Sequence, residues 1–342
     1  MTQSKASVTI RDVAREAGVS VATVSRYLNG TAPVSEEVAR RLDEIMSELN
    51  YVPRAAARNL ATHKTETIGL LTDIRGDFFA PLLSGIENAL SENGYDLLIS
   101  STRQPSRRRG KKLPVGPHNT DGILSFADSL DESQLRHFAR IGFPVVLIHR
   151  TPPEGLNIPC VTIENKAASR EITEHLIRVH QRRRIVFLQG PEVHEDSHWR
   201  ETGYRQALKA NGLTADPALL LRGDFDREVA YEAMNAFIRS GADFDAVFAA
   251  DDESAVGALA ALQENGLRVP EDVSLVGFDD QRMSPYLTPS LTTVHAPTEE
   301  VGRQAALQLI RLIQTGKAEP LTLLPTKIIL RRSCGCTPDS GR

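Results

Sequence analysis

Five short apolar runs end on residues that can hold a small polar molecule. Asp73 and the pair Phe78-Phe79 follow Thr67–Leu71, and His149-Arg150 follow Val145–Ile148. Asp196, Trp199 and Arg200 come after Ile185–Leu188, Asp251-Asp252 after Ala246–Ala249, and Asp279-Asp280 after Val273–Gly277. Phe225 sits in Gly223-Asp224-Phe225. Carboxylates accept hydrogen bonds from hydroxyls. An arginine donates in a fixed fork, and an aromatic face covers the apolar C–H side of a sugar ring. The set Asp73, Phe79, Arg150, Asp196, Arg200, Phe225, Asp251 and Asp279 therefore suits a polyhydroxylated ligand. Plainer roles stand beside these: Asp252 reads as the cap of the following helix, and one of Phe78 and Phe79 reads as core.

The elements that position these residues alternate along the chain. Strands are expected at Thr67–Leu71, Asp96–Ser100, Gly122–Leu124, Val145–Ile148, Ile185–Leu188, Ala246–Ala249 and Val273–Gly277. Helices are expected at Pro81–Asn93, Ala167–Val179, Trp199–Asn211, Arg227–Ser240, Ser254–Asn265 and Thr298–Thr315. Such alternation gives parallel sheets with helices on both faces. Two sets of about five strands imply two similar lobes. Ligands in such sheets bind beyond the C-terminal ends of the strands.

A second kind of chemistry lies near the N-terminus. Thr9 followed by Asp12 makes a capping-box pattern. Ile10, Val13, Ala14 and Ala17 form one apolar helical face. Gly18 ends that helix and Ser20 can cap the next. A third helix follows Ser35, with Val38, Leu42, Ile45, Met46 and Leu49 inward. The short turn makes the first two helices cross steeply, as in a helix-turn-helix that offers its second helix to a major groove. Outward there are Val21, Ala22, Thr23, Ser25, Arg26 and Asn29. Val21 and Ala22 are short enough to bring the helix close to base edges and a thymine methyl. Arg26 can bridge O6 and N7 of guanine. Thr23, Ser25 and Asn29 suit phosphates. A generic three-helix bundle with a solvated face is the bland alternative.

The wording of this segment narrows the choice. Ile10-Arg11-Asp12-Val13-Ala14-Arg15-Glu16-Ala17-Gly18-Val19-Ser20, then Thr23-Val24-Ser25-Arg26 and Leu28-Asn29-Gly30, closely resembles the signature of the LacI/GalR family of transcription regulators. So does Leu49-Asn50-Tyr51-Val52-Pro53-Arg54 with Ala57 and Leu60-Ala61. The resemblance implies an all-α helix-turn-helix head on an α/β periplasmic-binding-protein-like core of two doubly wound parallel-sheet lobes. The ligand cleft would lie between those lobes. It also implies a hinge helix from Pro53 to about Ala61, paired with its copy in the minor groove. Leu60 would be the wedge that kinks the duplex and Ala57 would contact the groove beside it. So short a helix is unstable alone in water and would form only with its partner and DNA. The DNA-facing set implied is Thr9, Ser20, Val21, Ala22, Thr23, Ser25, Arg26, Asn29, Tyr51, Ala57 and Leu60. By position in the family pattern, Arg200, Phe225, Asp251 and Asp279 stand at effector contacts.

The corresponding division is 1–52 for the head, 53–64 for the hinge, 65–336 for the core and 337–342 for a tail. One lobe takes 65–164 and 295–325, the other 165–294 and 326–336, with crossings near Glu164, His295 and Pro325. The expected partners are a pseudo-palindromic double-stranded operator, a carbohydrate effector and a second copy of the chain, with no membrane. One stretch departs from the family pattern. Residues 103–119 carry six Lys and Arg among three prolines and two glycines, which favours a solvated loop over a regular helix.

Bulk properties set limits. The 342 residues carry a formal charge of −4. Residues 1–64 hold nine Lys and Arg against seven Asp and Glu, whereas the rest hold 31 against 37. A basic head can meet phosphate while an acidic body stays off it. No apolar run approaches a membrane span, and the polar first residues lack a signal-peptide core. The expectation is a cytoplasmic protein and not an exported sugar receptor. No dinucleotide-binding glycine loop, P-loop or nucleophile elbow is present, so no enzyme and no cofactor are expected. The three cysteines, Cys160, Cys334 and Cys336, lack zinc-site spacing, and no metal is expected.

Overall fold

A computed structural model describes residues 8–29, 32–51, 64–73, 78–101 and 113–337. The chain divides into two units, 1–65 and 66–342. The hinge segment, with Ala57 and Leu60, lies outside the described residues, as do 102–112 of the basic stretch and 338–342 of the tail.

In the first unit α1 (Ile10–Ala17), α2 (Val21–Asn29) and α3 (Glu36–Glu48) enclose Val13, Ala14, Ala17, Val24, Leu42 and Ile45. The Asp12 carboxylate accepts from both the N–H and the hydroxyl of Thr9, at 2.9 and 2.7 Å. Gly18 takes φ 67° at the end of α1, the left-handed conformation that glycine adopts without penalty. Two residues later the Ser20 hydroxyl accepts from the Thr23 N–H at 3.0 Å and starts α2. Tyr27 donates to Asp43 at 2.6 Å, tying α2 to α3.

Among the described residues the second unit holds three sheets. Six parallel strands run in the order β11-β5-β4-β3-β1-β2: β1 is Thr67–Thr72, β2 Asp96–Ser101, β3 Gly122–Phe126, β4 Val145–Ile148, β5 Cys160–Ile163 and β11 Leu321–Leu324. Four more parallel strands run β7-β6-β8-β9: β6 is Ile185–Gln189, β7 Leu220–Arg222, β8 Ala246–Ala249 and β9 Ser274–Val276. β10 (Thr293–His295) and β12 (Lys327–Ile329) form an antiparallel ribbon. The split is thus six and four plus a ribbon, not five and five. Every residue of β4 and β8 is buried, as continuous apolar strands covered on both faces must be.

α4 (Phe79–Glu92) packs on α10 (Thr298–Thr315), α6 (Asn165–Arg178) on α7 (Glu195–Ala210), and α8 (Arg227–Arg239) on α9 (Asp252–Glu264). The first pair closes on Gly85 and Gly302, where a Cβ would overlap the Glu299 and Leu82 carbonyls. α5 (Glu132–Arg140), with a capping box from Asp131 and Gln134, is an element that the periodicity did not reveal. β5, β7, β10, β11 and β12, of three or four residues each, were not among the expected strands either.

The chain passes between the large sheets three times. It leaves β5 for α6, where the Glu164 N–H donates to the Leu324 carbonyl at 3.0 Å. It returns through β10 to α10, and leaves again from β11 into β12. Asp280 holds both ribbon strands' surroundings, with Arg331 at 2.6 Å and His295 at 3.1 Å. Among the described residues no helix is long and apolar enough to cross a membrane.

Candidate functional site

The residues that follow the strands converge on the Arg200 guanidinium. α7 begins at Glu195, four residues earlier than the sequence suggested, so Asp196 and Arg200 stand one turn apart on one face. Arg200 is only 3% exposed. Its Nε donates to Asn165 Oδ1 at 2.8 Å and one terminal nitrogen to the Ala250 carbonyl at 2.6 Å. The other nitrogen lies 3.1 Å from Asp279 and 3.9 Å from Asp196. The planar head rests 3.8 Å from the Phe278 ring centroid and 5.5 Å from that of Phe225. Asn165 returns a bond to Asp196 at 2.7 Å.

His149, at the end of β4, sets its Nδ1 2.7 Å from the second Asp196 oxygen. That pair joins the six-stranded part of the core to α7. A second link lies beside it: the Thr151 N–H and hydroxyl donate to Glu195 at 2.6 and 2.9 Å.

Electrostatics differ among the carboxyls. Burial pushes Asp196 up, but the charges of His149 and Arg200 and the His149 hydrogen bond prevail and leave it below its ordinary range. Burial holds Asp279 well above that range; Arg200 opposes this, and Asp251, Asp252 and Asp196 add to it. Burial also lifts Asp251 to about 6 and Asp252 to about 7. Asp279 thus leans toward its protonated form beside Arg200, whereas Asp251, at about 6, stays largely ionised near neutral pH. A protonated carboxyl donates as well as accepts, so the site can match a hydroxyl in either sense.

Backbone strain gathers here too. Of nine described non-glycine residues with positive φ, three belong to this site, His149, Phe225 and Asp279, and two more, Asp224 and Asp280, are their chain neighbours. Such conformations persist where surrounding structure over-determines them, and they cluster at ligand sites. Phe225 is admitted by Gly190, where any Cβ would overlap its ring.

The remaining expected residues divide. Asp251 is the N-cap of α9, accepting from the Ser254 N–H at 3.0 Å. That role had been assigned to Asp252, which is instead fully buried and accepts from the Gln281 N–H and the Ser284 and Thr293 hydroxyls. Phe79 is packed in the core 5.0 Å from Phe126, so it is not the ring offered to a ligand. Phe78, its neighbour, is half-buried and lies 5.9 Å from His149. Arg150 turns to the Leu130 carbonyl at 2.6 Å and to Asp128 at 3.5 Å, not to Arg200. Asp73, half-buried, follows β1. Asn165 was missed because it is the first residue of α6, which was expected to start only at Ala167.

Two buried hydroxyls at the strand ends, Thr72 on β1 and Ser125 on β3, have no hydrogen-bond partner. Phe78 and Asp279 also line a cavity of about 500 Å³ bounded by α4, residues 280–282 and the start of α10.

On the head, Val21 is 42% exposed, and Ala22 and Arg26 are exposed. Thr23 and Ser25 are half-buried, and Asn29 ends α2. The Ser20 and Thr23 hydroxyls lie 2.8 Å apart. Thr9 is exposed but engaged by Asp12, and Tyr51 packs partly against the head's core.

Comparison with known proteins matches residues 9–54 to the family described as bacterial regulatory proteins, lacI family, and residues 173–334 to a periplasmic binding protein-like domain. The HTH-type transcriptional regulator CelR of Thermobifida fusca is 35% identical over 337 residues, covering 95% of this chain and 98% of CelR. The solved structure of a CelR–cellobiose complex superposes with a TM-score of 0.71 at 32% identity, covering 95% of this chain and 99% of that one. The lac repressor dimer bound to operator and the anti-inducer ONPF shares the fold, with a TM-score of 0.80 at 24% identity over 96% of this chain and 99% of that one.

Proposed function

The chain belongs to the lacI family of bacterial regulatory proteins and is a DNA-binding transcriptional regulator, and from this premise we propose that it is a cytoplasmic homodimeric repressor controlled by a carbohydrate. The observation that carries the effector reading is the buried Arg200 fork, flanked by Asp279 and Asp196 and faced by the Phe225 ring. A guanidinium with N–H groups to spare, carboxyls beside it and a facing aromatic ring together fit a sugar. The unpartnered hydroxyls of Thr72 and Ser125 add acceptors and donors from the opposite sheet. The relative whose structure is solved in complex with cellobiose supports the same class. Asp196, Arg200, Phe225, Asp251 and Asp279 form the proposed effector set, with Phe78 in place of Phe79. They bind rather than turn over their ligand.

In this reading Val21, Ala22 and Arg26 meet base edges. Thr9, Ser20, Thr23, Ser25, Asn29 and Tyr51 hold or flank the phosphates. Dimerisation follows from the two-fold symmetry of helix-turn-helix half-sites. Residues 53–64 act as the hinge, with Ala57 and Leu60 in the minor groove. A sugar bridging the lobes competes with the His149–Asp196 and Thr151–Glu195 links and shifts the angle between lobes. It can do so only through unequal affinity for the two arrangements.

The test is a thermal-shift screen of mono- and disaccharides on the full chain, followed by gel shifts on selected genomic fragments with and without each hit. A sugar that raises the melting temperature and changes operator affinity is the expected result. No sugar response together with no preference among DNA fragments would sink the reading. Leu60→Ala should weaken operator binding strongly while leaving sugar affinity unchanged.

A further inference from the structure

Away from the cleft, four side chains that no regulatory role uses come together. His175 lies in the last turn of α6 and His180 just beyond it; Cys334 and Cys336 lie past β12. One ligating atom from each falls within 4.8 Å of all the others. The two Nε2 atoms are 3.2 Å apart, and Cys336 Sγ is 3.5 Å from His175 and 3.4 Å from His180. A tetrahedral zinc with bonds of about 2.0 Å to nitrogen and 2.3 Å to sulfur requires edges of about 3.3 Å between nitrogens and about 3.6 Å from nitrogen to sulfur. The measured separations fit those edges.

We propose that His175, His180, Cys334 and Cys336 form a structural zinc site in this chain. The spacing His-x4-His and Cys-x-Cys is unlike common zinc motifs, and Cys160, the third cysteine, lies on β5 and takes no part. The backbone is shaped for the cluster. Gly335, between the cysteines, takes φ 108°, and a Cβ there would press on the His180 ring at 3.1 Å. Only glycine meets both demands. Cys334 is fully buried and its sulfur accepts from the Thr292 hydroxyl at 3.1 Å, an outer partner of the kind that orients metal ligands. Its carbonyl accepts from Ser274 at 2.8 Å, which fixes it against β9.

Binding would displace one proton from each thiol, giving two thiolates, two neutral imidazoles and Zn²⁺. The loaded site carries no net charge, which suits a pocket walled by core residues. Zinc would staple the end of the chain's last crossing to α6.

The test uses full-length chain without a polyhistidine tag, reduced and stripped with chelator, then titrated with Co²⁺ and Zn²⁺. One equivalent of Co²⁺ per chain should give intense visible bands and a thiolate charge-transfer band, both bleached by Zn²⁺. His180→Gln and Cys336→Ser should each weaken zinc binding about a hundredfold or more, and Cys160→Ser should not change it. Zinc should also raise the melting temperature of the parent but not of His180→Gln, a half-buried position that leaves the core intact. Absence of the charge-transfer band, its survival in Cys336→Ser, or unchanged zinc affinity in His180→Gln would overturn the assignment.

Discussion

The head and the cleft solve opposite problems with similar residue types. On the head, Val21, Ala22 and Arg26 come from six consecutive residues of one helix and stay at the surface. In the cleft, His149, Asn165, Arg200, Phe225 and Asp279 come from separate segments and are drawn inward. A large partner can supply its own walls, so its contacts can remain exposed. A small one must be enclosed, and its charged contacts must neutralise one another when it is absent. An unpaired buried charge is costly, and the Arg200 network is how the core avoids one.

That contrast predicts where substitution hurts. Arg200→Met removes the lone guanidinium among buried carboxyls and should cost about 3–5 kcal/mol of core stability, read by urea unfolding, together with the sugar response. An unchanged midpoint would show that the cleft tolerates its charges unpaired, and the comparison would fail. Arg26→Ala should leave melting untouched but cost about 1–3 kcal/mol of discrimination at one base pair, measured by competition among operator variants.

The cleft should also titrate where the head does not. Asp251 sits at about 6 in the folded chain against an ordinary 3.8. The folded form therefore holds a proton that the unfolded form releases earlier. This group's favourable contribution is complete below about pH 4 and is lost as pH rises through 6. Asp251→Asn keeps a good helix cap and should flatten that part of the pH–stability curve; equal slopes in parent and variant would contradict it. Smallest of the four, Ser20→Ala should lower head stability by about 1 kcal/mol through the lost bond to the Thr23 N–H. Thermal unfolding of residues 1–51 alone would measure it.

The same contrast explains what could be read in the sequence. The head's spacing is local, so its caps, its glycine and its outward face were visible in thirty residues. The large strands and most helices were visible for the same reason. The cleft was legible only as candidates after strands. Whether Phe78 or Phe79 faces the ligand depends on one step around α4, and periodicity does not fix where that helix begins. Arg150 looked equivalent to Arg200 until Asp128 and Leu130 claimed it. The cap expected at Asp252 falls to Asp251 because α9 starts at Asp252, two residues before the Ser254 start that the sequence suggested. The partnership of His175 and His180 with Cys334 and Cys336 spans more than 150 positions, and nothing in either pair alone points to the other.

Asp279 and Asp280 are adjacent, yet they serve different masters. The first faces Arg200; the second grips Arg331 and lies against His295, next to the strands that tie one lobe to the other. In the proposed reading, a ligand that pulls on the first carboxyl acts through a single peptide unit on the second. The sensing and pivoting carboxyls of that reading are neighbours in the chain, so no long relay is needed between them.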